Sequence, residues 1–184
     1  SNKPAIEAWV DLGHFEELPT NKLEGFTERL MGYLPSLIEH RCSIGERGGF
    51  LQRLETGTWL GHVLEHITLE LQSLAYSPVG FGRARETLEY GVYKVVVRFE
   101  SPRFAELCMR RARELIVAII DGKPFDLEAE LKELRTRGGQ LCLGPGTQAI
   151  VDAARARGIP FMRLTDGNLV QLGYGKAQRR IWTA

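Results

Sequence analysis

GTWLGHVLEHITLELQ, running from Gly57 to Gln72, carries the strongest structural signal in the chain. Its apolar residues recur at three- and four-residue steps, which predicts an amphipathic helix: Leu60, Leu64, Ile67 and Leu71. Thr58 stands where the N-cap of that helix is expected. The rest of the fold is expected to pack around this helix.

Two histidines share one face of the predicted helix. His62 and His66 are four residues apart, so their rings stand about one turn apart and can offer nitrogens to a single tetrahedral ion. Glu65 precedes the second histidine, where a carboxylate can act as the base for a metal-activated water instead of binding the ion. His-x-x-Glu-His is the inverted zincin pattern. The alternative is an ordinary helix surface on which these side chains are hydrogen-bonded or solvated.

A peptidase-type zinc site needs a third protein ligand. Glu70 continues the ladder of His62 and His66, but it stands about 12 Å along the helix axis from His62, which is too far for one ion. The third ligand is therefore expected from another element.

A second long helix offers two candidates. Ser101-Pro102 is typical of an N-cap followed by proline at the first helical position, and it predicts a helix to about Ile120. If the two helices start level on one sheet, Glu106 comes level with the histidines and is the expected zinc ligand. Glu114 would lie two turns deeper. Because arginines surround both glutamates, a salt-bridged exposed face is the alternative.

Other segments before residue 100 are regular enough to assign. Three stretches predict strands or helices by their periodicity: a strand or short helix over Ala5 to Leu12, a helix over Leu23 to Leu34, and a strand over Gly91 to Phe99. Leu37 to Ile44 is a further expected strand. His40 and Cys42 would share a face of it and could be a second pair of soft metal ligands, although strand packing is the commoner reason for such a pair.

Ser77 to Thr87 is a glycine-rich basic segment that is expected to form a loop after the motif helix. Arg83 and Arg85 in this loop are the expected substrate-binding residues, since guanidinium groups bind carboxylates in a bidentate manner. A solvated loop is the alternative.

Residues 123–184 differ in character from the rest. Phe125 to Arg137 predicts a short surface helix that ends at Gly138-Gly139. The remaining pattern predicts a small β-α-β unit: Leu141 to Leu143, a helix from Thr147 to Arg157, and strands over Ile159 to Leu164 and Leu169 to Gly173. The expected fold class is α+β, with a small mixed or antiparallel sheet, helices on one face and this C-terminal β-α-β unit. Residues 3–122 would form the motif-bearing core and residues 123–184 the second part of one domain.

Composition narrows the classes of protein. With 184 residues, 43% apolar and 26% charged residues and a net charge of +1, the chain is typical of a globular protein that binds neither nucleic acid nor a membrane. No apolar run is long enough for a membrane span, and no signal peptide is expected. Three widely spaced cysteines favour a reducing, cytoplasmic setting. Eighteen arginines against six lysines favour a carboxylate-bearing ligand, with genomic bias as the alternative.

Several segments resemble the N-terminal domain of cyanophycin synthetases, and together they run nearly end to end. They are EHRCS (39–43), TWLGHVLEH (58–66), LELQ (69–72), VGFGR (79–83), GVY (91–93), RGIP (157–160) and VQLGYG (170–175). Gln178-Arg179-Arg180-Ile181 follows, as expected just before the ATP-grasp domain of that family.

The resemblance implies a role in polymer synthesis. Full-length members make cyanophycin, multi-L-arginyl-poly-L-aspartate, with ATP-grasp and Mur-ligase-like domains and magnesium. Neither of those domains lies within these 184 residues. The N-terminal domain is expected to hold the polymer near them, because arginine-rich loops suit the carboxylates of the polymer and acidic helix faces suit its arginines.

The motif adds an expectation that ligation does not require. A zinc ion (Zn²⁺) held by His62, His66 and Glu106, with Glu65 as base, would make the domain a metallopeptidase that cuts cyanophycin internally and so generates primers. Imidazole and carboxylate ligands also accept other divalent ions. The alternatives are a non-catalytic domain that docks the polymer and a domain that serves only oligomer assembly.

Overall fold

The computed structural model of the chain describes residues 4–76 and 78–183. These residues form six α-helices and six β-strands, and the expected α+β class is confirmed. In chain order the elements are β1 (Ala5–Asp11), α1 (Phe26–Tyr33), α2 (Gly49–Thr56), α3 (Leu60–Ala75), β2 (Gly82–Glu86), β3 (Val92–Arg98), α4 (Pro102–Asp121), α5 (Leu127–Leu141), α6 (Pro145–Ala156), β4 (Phe161–Arg163), β5 (Leu169–Leu172) and β6 (Arg179–Trp182).

The larger sheet is antiparallel, with the order β1-β3-β2. Its central strand, β3, alternates between buried and half-buried residues, and Tyr93, Val95 and Val97 are the buried set. This period of two places one face of the strand against the helices. α3 packs on β2 and β3, and α4 packs beside α3. The order leaves β2 as an edge strand next to α3.

α3 is the expected motif helix, and it lies at the centre of the molecule. Thirteen of its sixteen residues are buried, so Glu65 and His66 are shielded from bulk water instead of lying on an open surface. Gly61 lets the helix approach β3 closely, because a Cβ there would come within 2.9 Å of the Cβ of Tyr93. The helix face that carries the histidines contacts the segment that precedes α2, through His40 and Cys42.

That preceding segment is not the strand expected over Leu37 to Ile44. It forms two short 3₁₀ turns, Pro35–Glu39 and Cys42–Ile44. The reason lies in its backbone hydrogen bonds, which go to the start of α2 and not to a neighbouring strand. Ile38 O accepts from Gly48 N at 2.7 Å, and His40 O accepts from Phe50 N at 3.0 Å.

α4 begins as the sequence predicts. The hydroxyl of Ser101 accepts a hydrogen bond from the backbone N–H of Phe104, and Pro102 occupies the first turn. Its apolar side is buried in the main core, and its charged side remains exposed. No helix in the described parts of the chain, including this one, is long and apolar enough to cross a lipid bilayer.

The C-terminal part differs from the expected β-α-β unit in two respects. α5 continues through Gly138-Gly139 to Leu141, because Gly138 packs under Tyr76, where a Cβ would come within 2.9 Å of the ring. The strand expected at Leu141 to Leu143 does not form, because Leu141 ends α5 and Cys142 is its C-cap. β4, β5 and β6 form an antiparallel sheet after α6. Leu134 of α5 joins the main core. The division at residue 122 stays a prediction.

Candidate metal centre

Three side-chain atoms of the kinds that bind metal ions converge at the N-terminal half of α3. Nε2 of His62 lies 3.1 Å from Nε2 of His66 and 3.3 Å from Sγ of Cys42. All three atoms lie within 4.8 Å of one another. Around a tetrahedral zinc ion with ordinary bond lengths, such ligand atoms are roughly 3.3–3.6 Å apart. The two short distances are therefore close to the spacing that one zinc ion requires.

Thr58 fixes the orientation of the first histidine. Its hydroxyl lies 2.9 Å from Nδ1 of His62, which leaves Nε2 directed at the cluster. Thr58 is not the side-chain cap that the sequence predicts, since the N-cap residue is Trp59 and no side chain caps the helix. The buried hydroxyl serves the histidine ring instead of the helix end.

The ring of His66 is held on two sides. It is stacked on the ring of Phe50, with 3.9 Å between the centroids. Nδ1 of His66 lies 2.8 Å from Nδ1 of His40, so Nε2 points into the cluster. Both histidines of the motif thus present the same nitrogen to the same point.

Cys42 reaches the cluster through an unusual backbone conformation. Its φ of 52° lies in the left-handed region, which residues other than glycine adopt at a cost of about 1–3 kcal/mol. The turn is pressed against α2 at Gly49, where a Cβ would come within 2.0 Å of the carbonyl oxygen of Arg41. The close contact at Gly49 holds the 3₁₀ turn where the Cys42 thiol meets His62.

The protonation states of the two histidines suit metal binding. Burial, followed by the charge of Arg53, lowers the pKa of His62 to about 4. Burial, followed by the neighbouring His62 and His40, lowers the pKa of His66 to about 2. Both rings are therefore neutral near pH 7, as metal ligands must be.

Glu65 lies beside the cluster, at the wall formed by β2. Only 6% of the residue is exposed, and burial raises the pKa of its carboxyl to about 7, against the opposing effects of the Ala84 backbone amide and Arg83. A Cβ at Gly82 would come within 2.6 Å of Oε1 of Glu65. The glycine therefore makes room for the carboxylate.

The cluster opens into a cleft of about 730 Å³ between α3, β2 and the turn that carries Cys42. Four arginines line this cleft, and within the described residues none forms an ion pair with a carboxylate: Arg41, Arg53, Arg83 and Arg85. Nε of Arg53 is buried without a hydrogen-bond partner among these residues. The cleft thus combines a cluster that could hold a metal ion with arginines that form no ion pair among the described residues.

Comparison with known proteins assigns the chain to a family. Residues 7–121 match the model of the cyanophycin synthase-like N-terminal domain. The chain belongs to this family. It is 43% identical over 182 residues to the cyanophycin synthetase of Crocosphaera subtropica and 44% identical over 182 residues to that of Synechocystis sp.. Each alignment covers 97% of this chain and 21% of the relative, so the chain spans about one fifth of their length.

In this cyanophycin synthase-like domain, Glu106 is not brought to the histidines. It is exposed on α4, and its Oε1 lies 2.7 Å from Nη2 of Arg110. Glu114 is paired with Arg111 at 2.7 Å. The prediction that Glu106 lies at the histidines rests on the two helices starting level, but its carboxylate is on the exposed side of α4 with Arg110. Among the described residues, Cys42 is the side chain that completes a group of three.

Some residues that the sequence singles out line the cleft, and other residues of the cleft carry no sequence signal. Arg83 and Arg85 line the cleft, although they lie in strand β2 and not in the expected loop. For Cys42, the sequence indicates only that it could share one face of an expected strand with His40 as a pair of metal ligands. Arg53 was missed, since a single arginine on a short helix carries no pattern.

Proposed function

We propose that this domain binds cyanophycin and cleaves it internally as a zinc-dependent endopeptidase, which supplies chain ends for further synthesis. One observation carries the proposal: Cys42, His62 and His66 converge beside the buried carboxylate of Glu65, in a cleft lined by free arginines. The similarity to cyanophycin synthetases supports cyanophycin as the substrate.

The donor set fits zinc. One thiolate and two neutral imidazoles are ligands that zinc accepts in tetrahedral geometry, and three protein ligands leave a fourth position free for water or substrate. A zinc ion held there supplies Lewis acidity and lowers the pKa of a bound water to about 7. Cys42 thus takes the place that the sequence assigned to Glu106.

Glu65 is the proposed general base. Its carboxylate takes one proton from the attacking water as the water oxygen bonds to the amide carbon. It then passes that proton to the nitrogen as the carbon–nitrogen bond breaks. The second water proton stays on the new carboxyl group, which ionises by giving it to the new amine. Each internal cut therefore yields two shorter chains, one ending in a carboxylate and the other in an ammonium group.

The cleft offers two kinds of contact to such a polymer. Arg53, Arg83 and Arg85 can bind carboxylates, which the arginyl groups of cyanophycin carry. β2 is an edge strand that lines the cleft, and an extended chain can pair with such an edge through backbone hydrogen bonds. Both contacts would place a main-chain amide near the metal cluster.

The test is incubation of the metal-loaded protein with cyanophycin, with and without a chelator, while chain length is followed by gel electrophoresis. Shortening into polymers of intermediate length that stops with chelator supports internal, metal-dependent cleavage. Intact polymer in the presence of bound zinc refutes it, and retained polymer binding would then favour the docking role.

We expect the double substitution Arg83→Gln and Arg85→Gln to weaken cyanophycin binding by about 100-fold or more, because each lost charged hydrogen bond costs roughly 1.5–3 kcal/mol. Co-sedimentation with the insoluble polymer measures the effect. The matched control is Arg180→Gln, an exposed arginine on β6 that lies outside the cleft. Equal losses for the control and for the double variant would contradict a specific role of the cleft.

We expect Gly82→Ala to lower cleavage by about 100-fold while zinc content is unchanged, since the new Cβ displaces the carboxylate of Glu65 and small misplacements of a catalytic group cost about that much. Gly80→Ala is the control, because a Cβ at Gly80 meets no atom within 4 Å and that glycine also borders the cleft. Cleavage rates and elemental analysis of both variants show whether activity is lost without loss of zinc. Full activity of Gly82→Ala would argue against Glu65 as the base.

A further inference from the structure

A chain of polar side chains lies behind His66, on the side away from the candidate metal position. Nδ1 of His66 contacts Nδ1 of His40 at 2.8 Å, and Nε2 of His40 contacts Oε2 of Glu70 at 2.7 Å. The hydroxyl of Ser36 donates to the other oxygen of Glu70. The chain therefore runs from the first 3₁₀ turn through α3 to the ring of His66.

The available donors and acceptors determine which atom donates in each of these hydrogen bonds. Both oxygens of Glu70 are within hydrogen-bond distance of a partner, and an ionised carboxylate can only accept, so His40 donates through Nε2. In a neutral imidazole the lone pair of His40 is then on Nδ1, and it accepts from Nδ1–H of His66. The lone pair of His66 is consequently on Nε2, the atom that faces His62 and Cys42.

The surroundings show that this chain is built into the fold. Glu70 is only 6% exposed, and the side chain of His40 is 18% exposed. Burial opposes ionisation of Glu70, but the hydrogen bonds from His40 and Ser36 outweigh it and hold the pKa of the carboxyl below its ordinary value. Both oxygens of this buried carboxylate have hydrogen-bond partners, as buried polar groups in folded proteins normally do.

We infer that His40 is a positioning residue of the metal centre, anchored by Glu70 and Ser36, which fixes the tautomer and the ring orientation of His66 for binding through Nε2. The inference rests on the proposed zinc site. Outer partners of this kind usually are a carboxylate or a carbonyl in direct contact with the ligand histidine. Here a second histidine is interposed, so the carboxylate acts on the ligand across an imidazole ring.

Two substitutions at position 40 separate hydrogen bonding from packing. His40→Asn places an oxygen acceptor near the position of Nδ1 but fills less space, whereas His40→Phe fills the space of the ring without any acceptor. If the hydrogen bond matters, His40→Phe weakens zinc binding by about 10- to 100-fold and His40→Asn by clearly less. His14→Asn, an exposed histidine outside the cleft, is the control and leaves the affinity unchanged.

Zinc affinity of the full chain is measured by competition with a chromophoric chelator, and cobalt-loaded protein reports the ligand geometry through its visible absorption. Thermal unfolding of the metal-free variants shows whether they fold. We expect His40→Phe to change the cobalt spectrum and His40→Asn to retain most of it. Glu70→Gln, which keeps the shape of the chain without its charge, is expected to lie between the wild type and His40→Phe.

Equal or tighter zinc binding by His40→Phe than by His40→Asn would overturn the inference, because only packing would then distinguish the two. If all three variants match the wild type at high zinc affinity, the positioning role fails while the proposed zinc site stands. If the wild type itself binds neither zinc nor cobalt, the zinc site fails, and the positioning role fails with it.

Discussion

Replacement of Glu65 by glutamine is expected to lower the rate of cyanophycin cleavage by about 10²- to 10⁴-fold while the protein binds zinc as before. Glutamine has nearly the same shape as glutamate but cannot take a proton from water. The carboxylate lines the same cleft as Cys42, His62 and His66 without belonging to their group, so its loss would remove the proposed base and leave the proposed ligands. Chain length by gel and zinc by elemental analysis measure the two effects separately.

Glu106→Gln is the matched control for this variant. It makes the same chemical change at an exposed glutamate that is paired with Arg110. We expect it to cleave the polymer at the rate of the wild type. If Glu65→Gln retained full activity, the hydrolytic proposal would lose its base. If it lost zinc as well, Glu65 would have to be counted among the ligands.

Cys42→Ser is expected to weaken zinc binding by more than about 100-fold and to abolish cleavage. The substitution keeps the size of the side chain but replaces the thiolate, a strong zinc ligand, with a hydroxyl that stays protonated near neutral pH. Loss of a direct ligand should exceed the roughly 10- to 100-fold effect of changes in the partners behind the ligands. Competition with a chromophoric chelator measures the affinity.

The same experiment distinguishes the two candidates for the third ligand. Glu106→Gln should bind zinc as tightly as the wild type, because its carboxylate lies outside the cluster of three. The opposite pattern, with tight binding by Cys42→Ser and loss by Glu106→Gln, would require α4 to rearrange and would restore the ligand set expected from the sequence. Thermal unfolding of both metal-free proteins controls for folding.

The part of the site that depends on one helix could be predicted from the sequence. His62, Glu65 and His66 are fixed relative to one another by helical geometry, which needs no knowledge of the rest of the fold. The proposed third ligand, Cys42, depends on how a distant segment packs, and the sequence predicts a strand there. The distance of Glu70 along α3 could be estimated from the sequence, but its contact with His40 depends on the tertiary structure.

The secondary structure also includes elements that a local sequence pattern predicts and elements that it does not. α3, α4 and β3 have long, strongly periodic sequences, and they form near their expected positions. β2 has only five residues, with one glycine and two arginines, and it is a strand because β3 supplies hydrogen-bond partners for it. β6 likewise forms on β5 from a sequence with little alternation. Pairing of this kind is decided by the neighbouring strand, which a local pattern does not contain.

The left-handed turn at Cys42 has a consequence for folding stability. Cys42 and His62 are 20 residues apart, and α2 lies between them. An ion bound by both would close this loop, hold the strained turn against the central helix, and stabilise the folded state increasingly as the free ion concentration rises above its Kd. A chelator would then remove both the ion that links Cys42 to His62 and the proposed reactive centre. The melting temperature would therefore fall along with the activity.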